Sequence, residues 1–132
     1  FNVSKKQLKK CLFVLGPKIK TSLLYAPMTY KKNELNLNKI NDLKKTFSKP
    51  VGFSNHHNDK EILSILTAYK PSALFIYCKP TRKKGRNYPD DKHAFFLDEI
   101  NEIKDKFDNY SKMTLKAKRI KKINIFANEF KF

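Results

Sequence analysis

Basic side chains are the residues whose type and spacing first suggest chemistry in this sequence. Of 132 residues, 29 are Lys or Arg and 12 are Asp or Glu, a net charge of +17. One dense patch comprises Lys79, Arg82, Lys83, Lys84 and Arg86, and a second spans residues 112–122 with no acidic residue. Such patches contact phosphates, so one reading is a basic module that binds nucleic acid or another polyanion and weakens steeply with salt. No zinc-finger spacing, aromatic ribonucleoprotein motif or helix-turn-helix signature accompanies either patch. A solvated lysine-rich surface explains the charge better than specific nucleic-acid recognition, and weak, non-specific polyanion binding is expected either way. Other chemistry-bearing residues are sparse. Cys11 and Cys78 make neither a disulfide framework nor a zinc site, which fits a reducing, cytoplasmic compartment. His56, His57 and His93 fall between regular elements, where solvent-exposed loop histidines are expected.

The elements that must position these residues alternate. Helical spacing covers residues 3–15, with Ser4 as cap, Leu8, Cys11, Leu12 and Leu15 on one face, and Gly16-Pro17 as the stop. A short apolar run at 21–26 reads as a buried strand. Residues 36–47 form the next helix, capped by Asn36, with Leu37, Ile40, Leu43 and Phe47 inward. Val51-Gly52-Phe53-Ser54 is a strand, where Gly52 and Ser54 suit a strand-end turn that needs small residues. Asn58-Asp59 cap a third helix over 60–69, with Ile62, Leu63, Ile65 and Leu66 apolar. Residues 73–78 are apolar on both faces and read as the last strand. A long loop over 79–96 follows, then a helix over 98–110 with Ile100, Ile103 and Phe107 inward. The order αβαβαβα predicts an α/β fold with parallel strands. Its functional residues belong in the segments after the strands, at 27–33, 54–58 and 79–93. No apolar run reaches the roughly 20 residues that cross a membrane, and no signal-peptide pattern is present. The chain starts at Phe1 rather than Met, so it is expected to be a piece of a longer reading frame.

Three stretches carry a resemblance. They are Leu23-Leu24-Tyr25-Ala26, Asn36-Leu37-Asn38-Lys39-Ile40, and Lys49-Pro50-Val51-Gly52-Phe53-Ser54-Asn55-His56. In order and spacing they resemble the later part of the barrel of the N-acetylneuraminate (sialic acid) synthase family. That family shows Leu-Leu-His-Cys, a Tyr-Pro loop, Asn-Leu and then Pro-Val-Gly-Tyr/Phe-Ser-Asp-His. The resemblance continues as residues 73–81 take the place of Ile-Glu-Lys-His-Phe-Thr. Pro89-Asp90-Asp91-Lys92 then takes that of Pro-Asp-His-Lys, and Asp98-Glu99-Ile100 that of Asp-Glu-Leu. It covers roughly residues 3–110.

The resemblance implies a segment of a (β/α)8 TIM barrel over residues 1–112; outside it, residues 113–132 read from their composition as a basic tail, with one more strand expected at 123–132. A complete barrel takes about 200 residues or more. The chain would then supply only the later half, without the antifreeze-like domain that usually follows. Open sheet edges would favour self-association or pairing with a missing half. The family condenses phosphoenolpyruvate with an N-acetylated sugar, and a divalent metal, commonly manganese, polarises the sugar aldehyde. By resemblance His56 is one metal ligand, and Ser54, Tyr30 and Asp90 are substrate contacts. The second metal histidine falls on Lys79, the glutamate before it on Tyr77, the histidine of Pro-Asp-His on Asp91, and a polar phosphate-loop residue on Met28. Asp91 and His93 are substitute ligands to consider; His57 is a poor one, because adjacent side chains diverge. The expectation is a retained scaffold with an eroded site and no synthase activity from the isolated chain. The alternatives are the polyanion-binding module and a non-catalytic partner that completes a separately encoded half-barrel.

Overall fold

The computed structural model describes residues 3–80 and 90–114. Helix α1 (Lys5–Leu15) opens at Ser4, whose hydroxyl accepts the Gln7 N–H while the Gln7 side chain accepts the Ser4 N–H. This reciprocal cap satisfies two donors that the helix leaves free. It ends at Gly16, at φ 72°, whose N–H reaches the Leu12 and Phe13 carbonyls. Of the expected apolar face, Leu8 and Leu12 pack against the core, while Cys11 and Leu15 are exposed.

Strand β1 (Leu23–Tyr25) is shorter than the 21–26 run. Helix α2 (Asn38–Phe47) buries Ile40 completely and packs Leu37, Leu43 and Phe47 beside it, as the spacing predicts. Its cap position is Leu37, with no side-chain bond; Asn36 lies one residue outside and contributes its carbonyl to the Lys39 N–H. Strand β2 (Val51–Ser54) leads to helix α3 (Lys60–Leu66), capped by the Asp59 carboxylate, which accepts the Glu61 N–H at 2.8 Å. Ile62, Leu63 and Leu66 turn inward and Ile65 outward. Strand β3 (Leu74–Phe75) completes a parallel sheet in the order β1-β2-β3, with Tyr25 opposite Phe53 and Phe53 opposite Leu74. The architecture is α/β, with helices alternating with parallel strands.

β2 is paired along both edges, and residues 51–57 are all buried. Gly52 answers to that packing rather than to a turn. A Cβ there would sit 3.2 Å from both the Ala73 carbonyl oxygen and Leu24 Cδ1. The last expected strand, 73–78, is broken in two. The β2–β3 ladder ends at Ser54 opposite Phe75, and the chain changes partner after Ile76-Tyr77. Strand β4 (Cys78–Lys79) pairs in parallel with β5 (Phe95–Phe96), inside the segment expected to be a loop. The Phe95 N–H donates to the Tyr77 carbonyl at 2.9 Å and starts this second ladder. A single 3-10 turn at Leu97–Glu99 enters α4 (Ile100–Thr114), which runs past the expected end at 110 and buries Ile103 and Phe107. Lys60 ties α3 to it, 3.2 Å from Glu99 and 2.7 Å from Glu102. The patch residues Arg82, Lys83, Lys84 and Arg86, and the strand expected at 123–132, lie outside the described residues. No helix among the described residues is long and apolar enough to cross a membrane.

Candidate active site

The buried run of β2 continues beyond the strand through Asn55, His56 and His57. All three histidines are therefore interior, with His93 only 1% exposed, and the expectation of solvent-exposed loop histidines is corrected. The cause is the turn at 90–93, which folds back over the carboxyl end of the sheet. Asp90 starts it in left-handed backbone (φ 60°), and its carbonyl accepts the His93 and Ala94 N–H groups. This places the His93 ring 5.0 Å from that of His56 and 4.6 Å from that of Tyr77, edge to face. Tyr77 also lies 5.4 Å from His56, and the exposed Tyr30 reaches to 5.7 Å from His93. Ser54 is buried beneath, its carbonyl 3.3 Å from His56 Nδ1. The fully buried Asn55 donates its side-chain amide to the His57 carbonyl and so fixes the backbone that carries both histidines.

Sequence-derived candidates thus separate into two groups. Ser54, His56, His93, Tyr30 and Asp90 converge at the carboxyl ends of β2 and β3. Asp91 does not join them: its carboxylate accepts from Lys79 Nζ at 2.8 Å, and its carbonyl accepts from the same nitrogen at 3.0 Å. Lys79 also lies over the Phe96 ring at 4.6 Å, with its side chain largely buried. Tyr77 as a wall of the site and Lys79 as its anchor were not foreseen. The opposite charges at the two ends of the long segment, and its apolar Ala94-Phe95-Phe96 run, were the available signals.

Burial pushes the imidazoles of His57 and His93 below their ordinary pKa. For His93 the neighbouring His56 adds to the effect and Asp90 opposes it; for His57, Asp59 opposes it. Both are therefore neutral at pH 7. The Asp90 carboxylate stands 3.7 Å from His93 Nε2, too far for a hydrogen bond, and neither ring nitrogen of His93 has a partner among the described residues. The edge contact with Tyr77 contributes about 0.5–1.5 kcal/mol. Each unsatisfied buried polar atom costs roughly 1–3 kcal/mol. With neither nitrogen hydrogen-bonded among the described residues, His93 can accept a ligand without losing a hydrogen bond. Cys78 offers no nucleophile, because burial pushes its thiol up.

The fold and site together define a parallel α/β protein whose polar groups gather where the strands end, the place at which such sheets bind ligands. The model of the NeuB family matches residues 18–119, and the chain belongs to that family, as a relative of the sialic acid synthases. No curated protein and no solved structure matches the chain. Among the described residues no group of three or more His, Cys, Asp or Glu side chains gathers around one point. The family's divalent metal nevertheless fits the residues present. The two neighbouring imidazoles, one with unpartnered nitrogens, are suitable donors.

Proposed function

We propose that this chain forms the later half of a (β/α)8 barrel that condenses phosphoenolpyruvate with an N-acetylated sugar. The observation that carries the reading is the family match over residues 18–119, together with Ser54 and His56 at the end of the central strand. Sequential neighbours β1, β2 and β3, all parallel, have the order of barrel strands. In this reading Ser54 approaches the phosphate, and Tyr30 and Asp90 border the substrate from the rim. Tyr77 and the turn at 90–93 exclude water from the sheet end. When bound, a divalent metal, manganese in the family, supplies Lewis acidity toward the sugar aldehyde; His56 is among the residues that hold it. A barrel needs eight strands, so the isolated chain is expected to be inactive.

The test is phosphoenolpyruvate consumption with manganese and a panel of N-acetylated sugars. It is run on the 132-residue chain alone and on the chain supplied with the first strand–helix units of a family barrel. Turnover is expected only in the second case. Turnover by the chain alone overturns its dependence on another half. A complex that forms, binds metal and consumes no phosphoenolpyruvate overturns the synthase reading.

A further inference from the structure

We propose that this chain has relocated one ligand of its divalent-cation site. His56, after β2, and His93, in the turn before β5, bind the ion together, and Lys79 holds that turn in place through Asp91. The inference rests on the metal-dependent reading above and names the residues that would carry it.

Three observations converge. His93 is 1% exposed, and neither of its ring nitrogens has a hydrogen-bond partner among the described residues. A ligand bond there breaks no hydrogen bond among the described residues. The second observation is distance. A ring nitrogen lies about 2.1 Å from a bound transition-metal ion, which sets two imidazole centroids on one ion about 4.5–5 Å apart. The His56 and His93 centroids are 5.0 Å apart. The third is Lys79, which stands where the resemblance places the second metal histidine. A protonated amine cannot bind a cation and would repel one. Here its charge is paired, with Nζ 2.8 Å from the Asp91 carboxylate and 3.0 Å from the Asp91 carbonyl. That bond ties the end of β4 to the turn that carries His93. Lys79 is thus a positioning residue. Two imidazoles leave the other coordination positions to oxygen atoms of water and substrate, and the Asp90 carboxylate beside His93 favours a cation there.

The experiment is calorimetric titration of manganese ion into the full chain and into His56→Ala, His93→Phe, Lys79→Met and Lys79→Arg. His93→Phe keeps a ring against Tyr77 and removes both nitrogens. Micromolar binding is expected in the wild type. Loss of about tenfold or more is expected in His56→Ala, His93→Phe and Lys79→Met, with recovery in Lys79→Arg. In parallel, zinc ion is added to the wild-type chain and the imidazole nitrogen resonances are followed. Those of His56 and His93 move and those of His57 do not. Absence of binding by the wild type, binding that His93→Phe leaves unchanged, or zinc shifts confined to His56 and His57 each overturn the proposal. The resonance measurement needs no variant, so a variant that fails to fold leaves the test intact. Ion binding at both histidines without condensation in a completed barrel overturns the synthase reading and leaves this proposal standing.

Discussion

Phe53→Ala probes the strand that carries the site. Phe53 has no exposed surface, lies opposite Tyr25 on one side and Leu74 on the other, and its ring is 5.9 Å from that of Tyr25. Truncating such a phenylalanine costs about 3–5 kcal/mol, of which about 0.5–1.5 kcal/mol is the aromatic pair. A domain has about 5–15 kcal/mol in total, so the variant should retain little reserve. Leu24, one residue before Tyr25 on β1, is the internal control. It is 48% exposed, and Leu24→Ala should cost no more than about 1 kcal/mol. The assay is urea unfolding followed by far-ultraviolet circular dichroism. With a slope of about 1–3 kcal/mol per molar urea, the Phe53→Ala midpoint should fall by at least about 1 M, and that of Leu24→Ala by much less. Equal losses in the two variants would refute the placement of β2 at the centre of the sheet, and with it the burial of His56.

Other parts of the frame make their own predictions. The Lys32 ammonium and the Glu61 N–H hold the Asp59 carboxyl below its ordinary pKa. Its stabilisation is therefore complete above pH about 4 and lost as pH falls through the lowered value. Asp59→Asn should show a shallower acid dependence in unfolding titrations. Lys44 donates to the Tyr69 and Lys70 carbonyls at 2.7 and 2.6 Å. Lys44→Met should lower stability by about 1–3 kcal/mol in thermal unfolding, and Lys44→Arg by less. Gly52→Ala sets a methyl group against the Ala73 carbonyl oxygen at 3.2 Å and should cost about 1–3 kcal/mol by urea unfolding. Heparin affinity should fall by orders of magnitude between about 50 and 200 mM salt; a flat response in a binding titration would exclude the polyanion reading.

Much of the frame was legible because local signals and burial agreed. The Ser4 cap, the Asp59 cap, the Ile40 face of α2 and the Ile103 and Phe107 face of α4 follow from spacing and from side chains that bond to their own helix ends. Asn36 misled because one residue of offset at a helix start does not change the spacing of the apolar face. β5 escaped notice because two residues are too few to show a period, and their ladder partners lie seventeen residues earlier in the chain. The buried state of the histidines was hidden for a similar reason. Exposure after a strand depends on what folds over its end, and here that is a distant turn anchored by Lys79 and Asp91.

By itself, the sequence determined the α/β alternation and the family, and named Ser54 and His56 as candidates, because these rest on spacing and motif order within short windows. Only the tertiary structure decided that the last strand changes partner, that Lys79 pairs with Asp91, and that His93 stands beside His56 with no hydrogen-bond partner for its nitrogens among the described residues. Those outcomes depend on contacts between residues far apart in the chain, which no local pattern encodes.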